Sequence, residues 1–309
     1  MDISQDAPAQ LDGVLVLNKP LGVSSAACVG VIKRRLGQRK IGHAGTLDPL
    51  AGGVLLILLG QATKISGLLM RGGEKVYSGV IRFGLSTDTW DAEGRAVEGG
   101  DPDLAMHITR RGLEDALLEM RGELRQEVPP FSAAKHQGRP LYALAREGSP
   151  TPVKIKTVQI SRAELEWFRP PSARFRVACS SGTYIRSLAH SLGIRFGCGA
   201  TLMELTREYS HPFGLDAAVS LEDLLARPAL LAEKTRPLRE ALPGVPSLTL
   251  QADLCRCVRH GQAPPAWAMP EQGDMALLLD ERGAALALAA RHHEGGTGRW
   301  FIERGLWNN

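Results

Sequence analysis

The chain has 309 residues, 44% hydrophobic and 23% charged, with a formal net charge of +4; this is the balance of an ordinary globular protein, long enough for one large or two unequal domains. Its longest strongly apolar run, Val54–Leu59, falls far short of the roughly 20 residues that span a bilayer, and no basic-then-apolar leader opens it. Five cysteines (28, 179, 198, 255 and 257) are odd in number and form no paired zinc spacing, which fits reduced thiols in the cytoplasm.

Met1–Asp12 is polar and mildly acidic and reads as a loose tail. Gly13–Asn18 is a buried strand by pattern, ending at Lys19-Pro20. Ser24 or Ser25 caps a helix through Leu36, with Gly37 as its stop. Lys33, Arg34 and Arg35 in its last turn suit the helix dipole, and equally a polyanion. Between Lys19 and Arg82 ten Lys or Arg face only Asp48 and Glu74. That excess is either a solvated face or a surface for a polyanionic partner.

Gly42–Leu56, GHAGTLDPLAGGVLL, places an imidazole, a hydroxyl and a carboxylate close together in His43, Thr46 and Asp48. Pro49 stiffens the chain after Asp48 and biases the aspartate away from helical angles. Asp48 is therefore either a turn cap or a loop-borne catalytic acid on a rigid support. Gln61–Met70 reads as helical, and Arg71-Gly72-Gly73 as a turn. Val76–Phe83 is a strand with Tyr77, Gly79, Ile81 and Phe83 on one face, where Tyr77 suits a cross-strand aromatic. Thr87–Gly94 is a polar loop, and Thr109–Met120 an amphipathic helix capped by Thr109.

Pro129-Pro130 breaks the chain before Ser132–Lys135, and Leu141–Arg146 forms a short helix. Val153–Ile160, Ala163–Phe168 and Ala173–Ser180 are strand-like. Gly182–Arg195 follows as a helix that begins with Thr183, Tyr184 and Arg186. Ser220–Leu225 is a short helix, and Arg236 to Pro246 reads as a linker. From Ser247 short strands alternate with turns: Met275–Asp280, Ala284–Ala290 and Arg299–Arg304. His292-His293-Glu294 lies beside Gly295-Gly296 without further ligands and reads as loop, not as a metal site.

GHAGTLDPLAGGVL closely resembles the catalytic motif of the TruB family of tRNA pseudouridine synthases. GVLVLNKP (Gly13–Pro20), KVYSGVIRFGLSTDTWDAEG (Lys75–Gly94), SAAK (Ser132–Lys135), GTYIRSLAHSLG (Gly182–Gly193) and GCGATLMELTRE (Gly197–Glu208) resemble further family blocks, in family order. The resemblance implies an α+β fold: a mixed, largely antiparallel core sheet with flanking helices over 13–246. A small β-rich, PUA-like RNA-binding domain over 247–309 follows it. It implies isomerisation of uridine 55 in the T loop of tRNA to pseudouridine, with base flipping, no cofactor and no obligatory protein partner, by a monomer.

Residue by residue, the resemblance makes Asp48 the catalytic carboxylate. Tyr77 stacks on the target base, Leu205 packs on it, Tyr184 contacts it, and Lys19 supports the site. Arg186 pairs with Asp48. A free aspartate is ionised at neutral pH, with a pKa of ~3.9; a guanidinium preserves that charge when bound RNA excludes water. His43, Asp88, Lys135 and Arg207 are assigned to RNA contacts. Where the family block commonly reads L-R-R this chain has Leu205-Thr206-Arg207, which removes one expected cation. Three routes are open to the carboxylate: addition to C6 of the uracil, attack on C1′ of the ribose, or action first as a base. Two other readings keep the same scaffold: a synthase directed by guide RNA and protein partners, and an RNA-binding protein or chaperone without catalysis. Asp48, Tyr77 and Arg186 together favour catalysis, which leaves room for a chaperone role beside it.

Overall fold

The computed structural model describes residues 10–294 and 297–307. Residues 1–9 of the expected tail lie outside the described residues. Its last part is held: Leu11 exchanges backbone bonds of 3.0 Å with the Gln38 amide, and Asp12 Oδ1 accepts from Gln61 N at 2.7 Å.

A ten-stranded mixed sheet forms the larger body. Its path runs Val219–Ser220, Gly13–Lys19, Ala51–Leu59, Ala200–Ser210, Lys75–Phe83, Ser172–Cys179, Ile155–Arg169, Gly122–Glu127. Two pairings are parallel, Gly13–Lys19 with Val219–Ser220 and Ala51–Leu59 with Ala200–Ser210; the others are antiparallel. All nine residues of Ala51–Leu59 are buried, as a continuous apolar run in mid-sheet requires. Alternate residues of that strand and of Gly13–Lys19 feed two apolar clusters, one on each face of the sheet.

The helix Ser25–Leu36 starts at the N-cap Ser24, whose side chain accepts from Ala27 N, and ends at left-handed Gly37. Leu141–Arg146 and the Thr109-capped helix Arg110–Glu119 also match the sequence reading. Four segments differ from it. Ile155–Arg169 is one strand, not two, because irregularities at Ile160/Arg162 and Leu165/Trp167 absorb the break in pattern. The helix after Gly182 begins at Ile185, leaving Thr183 and Tyr184 outside it; the Gln126 amide bonds both backbone groups of Tyr184, at 2.7 and 2.9 Å.

The expected linker is built into the core. Arg236 exchanges backbone bonds with Val14, and Leu238 and Ala241 on the short helix Leu238–Ala241 are buried together with Leu242 just after it. Finally, His292 and His293 lie in the strand Ala285–Glu294, where His293 Nε2 meets Asp274 Oδ1 at 3.0 Å.

The C-terminal region is a four-stranded sheet, Ser247–Thr249, Met275–Leu279, Ala285–Glu294 and Thr297–Gly305, with the helix Ala252–Arg259 against it. Its docking follows the strand alternation. Ala276 and Leu278 fill the small domain's own core, whereas Leu277 and Leu279 join Val14, Val16, Leu56 and Leu58 of the large sheet.

Candidate active site

Sheet register assembles the site. Lys19 pairs with Gly53, Gly53 with Arg207, and Arg207 with Tyr77, so one row crosses four strands. Leu205, two residues before Arg207, stays on the same face. The loop after Ile41–Ala44 lies across this row and carries Asp48.

That loop is held through its main chain. Ser25 Oγ donates to Leu47 O and accepts from Leu47 N, both at 2.9 Å. Gly22 N donates to Pro49 O at 2.8 Å, and Ala51 N to Asp48 O at 3.0 Å. Lys19, 1% exposed, donates to the carbonyls of Pro20 and Val23 and reaches that of Pro49. Burial lowers the pKa of its ammonium. Arg207, equally buried, donates from Nε to Val54 O at 2.6 Å and from a terminal nitrogen to Gly45 O at 2.9 Å. Gly53 makes this approach possible: its φ is +95°, and a Cβ would stand 2.2 Å from Arg207 O.

Against that fixed loop, the Asp48 side chain remains 40% exposed and its Oδ2 lies 3.0 Å from Arg186. Arg186 is buried and donates to Thr89 O at 2.9 Å and Phe131 O at 3.0 Å, with Asp91 Oδ2 at 3.4 Å. Burial raises the pKa of Asp91, opposed by Thr89 Oγ1 at 2.6 Å and by Arg186. Tyr77, Tyr184, Leu205, Arg186, Arg207 and Asp48 line one cavity of about 470 Å³. Burial pushes both phenols upward in pKa.

The structure thus brings together Asp48, Arg186, Tyr77, Tyr184 and Leu205, with Lys19 beneath the loop. One assignment changes. Arg207 was expected to contact RNA but is 1% exposed and committed to two loop carbonyls, so it braces the Asp48 loop. Asp88, expected at an RNA contact, lines the cavity on the His43 side of Asp48, and its carboxylate accepts from Arg95 N at 2.8 Å; Asp91 is the one that turns inward to Arg186. Lys135 is exposed on a short hairpin and lines neither cavity flanking Asp48. His43 lines the second of these, about 730 Å³, on the other side of Asp48. Its Nδ1 is buried without a hydrogen-bond partner among the described residues, and burial lowers its pKa.

Several contributors carry no local sequence signal. Ser25 pins Leu47, and Gln126 seats Tyr184. Lys75 projects into the cavity wall, and Trp90 stacks on His190 at 4.1 Å and 6° while holding φ +65° between Thr89 and Asp91. A positive φ at a large aromatic is uncommon and needs support of this kind.

A loop carboxylate facing a buried guanidinium, in a cavity that a tyrosine and a leucine also line, is the candidate centre of the molecule. The backbone matches a chain of a Cbf5–Nop10–Gar1 complex with a TM-score of 0.71 at 24% identity, over 96% of this chain and 85% of that one. It also matches an archaeal box H/ACA sRNP Nop10–Cbf5 complex at TM-score 0.70 and 22% identity, over 99% and 89%. Residues 33–185 match the model of the TruB family pseudouridylate synthase N-terminal domain. A tRNA pseudouridine synthase B of Nitratidesulfovibrio vulgaris Hildenborough is 54% identical over 97% of this chain and 100% of its own length. That of Oleidesulfovibrio alaskensis is 55% identical over 97% and 98%. The chain belongs to the TruB family of pseudouridylate synthases and is an isomerase.

Proposed function

We propose that this enzyme converts uridine 55 in the T arm of tRNA to pseudouridine, with Asp48 as the attacking carboxylate. The observation that carries this reading is the Asp48–Arg186 pair at 3.0 Å in the cavity that Tyr77 and Leu205 line. The target base must leave its stack, at a cost of a few kcal/mol, before it reaches that slot. Uracil is then detached from the ribose, rotated and rejoined through C5, so the pocket has to retain it throughout. Tyr77 and Leu205 pack its faces, and Tyr184 closes one side. Arg186 keeps the carboxylate charged and aimed while RNA covers the cavity. His43 fills the loop space that the flipped nucleotide leaves.

No redox step or group donor is required, and none is assigned. The region 247–309 acts as a PUA-like RNA-binding domain beside the catalytic domain of 13–246. The protein works as a cytoplasmic monomer without an obligatory protein partner, and the same RNA surface serves a tRNA-folding role.

The test uses purified protein, an unmodified tRNA transcript tritiated at uracil C5, and no addition. Rejoining through C5 expels the label into water, and the product maps to position 55. Asp48→Asn should abolish release while tRNA affinity stays within a few fold. Substantial turnover by that variant would remove Asp48 from the chemistry.

A further inference from the structure

The catalytic cavity extends beyond Tyr77 to an end built from Met70, Arg71, Lys75, Lys156 and the Ser181-Gly182-Thr183 turn. We infer that this end is a subsite for a phosphodiester of the bound RNA, one of the two that flank the target uridine. The inference rests on the reading that the substrate is RNA.

The first observation is a convergence of cations without acids. Arg71, Lys75 and Lys156 form no ion pair among the described residues. Lys75 is 6% exposed and donates to Ser181 Oγ and Met70 O. Lys156 lies over the Gly182 backbone, its Nζ 1.8 Å from where a Cβ would stand. Gly182 holds φ +81° and carries no Cβ, so the turn leaves room there for the Lys156 ammonium. Desolvation lowers the Lys75 pKa to about 8, and the Arg207 and Lys156 charges push the same way. Like charges gathered at a cavity wall destabilise the empty protein, and an anion seated among them relieves that repulsion.

The second observation is polarity across Asp48. The cavity on the Tyr77 side is lined by five cations (Arg71, Lys75, Lys156, Arg186, Arg207) against Asp48 alone. The cavity on the His43 side carries four carboxylates (Asp48, Asp88, Asp91, Glu93) against Arg95, Arg146 and Arg186. A polyanionic backbone running beside the target base is drawn to the first side and repelled from the second. Ser181 and Thr183 line the same wall, their hydroxyls donating to Met70 O and Ser180 O, and Lys156 and Gly182 are exposed there, so the group is reached from solvent.

The experiment replaces charge on each partner in turn. A T-arm RNA tritiated at C5 carries a neutral methylphosphonate at either phosphate flanking the target. It is turned over by the wild-type enzyme and by Lys156→Gln, a substitution at an exposed strand position. One of the two neutral linkages should lower wild-type kcat/KM about tenfold, the scale of one charge-assisted bond. Lys156→Gln should lose about the same on natural RNA and nothing further on that linkage. Its log KM should also rise with log salt less steeply, by roughly 0.7. Losses that multiply independently, or a wild-type enzyme indifferent to both neutral linkages, overturn the subsite. If the wild-type enzyme releases no tritium from natural RNA, the reading of the substrate fails instead, so the two failures are distinct.

Discussion

Arg186→Lys separates the two duties of the buried guanidinium. Arg186 serves four oxygens: Asp48 Oδ2 at 3.0 Å, Asp91 Oδ2 at 3.4 Å, Thr89 O at 2.9 Å and Phe131 O at 3.0 Å. An ammonium concentrates its three donors at one point and cannot span that set. It will follow Asp91, whose side chain is 4% exposed, rather than Asp48 at 40%, because the more buried charge suffers more when unpaired. Asp48 then loses one charge-assisted bond, worth about 1.5–3 kcal/mol. At 1.4 kcal/mol per tenfold, kcat should fall by roughly 10- to 100-fold with KM little changed.

Arg186→Met leaves Asp91 as an uncompensated buried charge and should destabilise the fold by about 3–5 kcal/mol at neutral pH. The sign of its pH dependence follows from Asp91. Burial raises that carboxyl in the folded state, so its protonated form is favoured by folding, and the benefit is lost as pH rises through the folded pKa. The stability gap between wild type and Arg186→Met should therefore narrow as pH falls from neutral toward about 4. Urea melts across pH and single-turnover tritium release read these two effects. Wild-type kcat in Arg186→Lys, or a gap that does not change with pH, would refute the reasoning.

Trp90→Ala removes the stack on His190 that supports a left-handed turn between two Arg186 partners, Thr89 and Asp91. It should reduce kcat by about tenfold without raising KM, while Trp90→Phe restores most of the loss; an unchanged kcat in the alanine variant would deny the turn any positioning role. Lys75 has a pKa lowered from 10.5 to about 8, so between those values the unfolded chain binds the extra proton and stability rises with pH. Urea melts should show wild type gaining on Lys75→Met over that range, and a constant difference would show that burial does not oppose the charge.

Much of the site was legible because its parts sit on locally marked pieces. Pro49 and the glycines announce the Asp48 loop, and strand alternation places Tyr77 toward the core. Arg207 was not legible: an arginine in a strand reads as a solvent charge. Its burial comes from the Gly53 and Tyr77 pairings, which are long-range facts. Asp88 and Asp91 lie three residues apart in one polar loop, and local composition does not rank them. Trp90 decides, by turning Asp91 inward while Asp88 bonds Arg95 N. The supposed linker misled through its prolines, although Leu238, Ala241 and Leu242 at helical spacing were a core signal inside it. The helix Ala252–Arg259 was missed for the opposite reason, since no side chain caps it at Gln251.

The two buried arginines divide the work of holding one aspartate. Arg207 fixes main chain, at Val54 and Gly45, and Arg186 fixes the carboxylate itself. With Ser25 and Lys19 also bonded to loop backbone, the position of Asp48 is set before any ligand arrives. In the proposed mechanism the carboxylate therefore spends little reorganisation as the cavity is covered, which is the condition under which fixed electrostatics lower a barrier most. The arrangement also explains why so much charge is buried here. Lys19, Lys75, Arg186 and Arg207 are each at most 6% exposed, a composition that stability alone disfavours. Their common feature is that each touches the Asp48 loop, the carboxylate or the wall of its cavity, so the burial is best understood as a requirement of the site rather than of the fold.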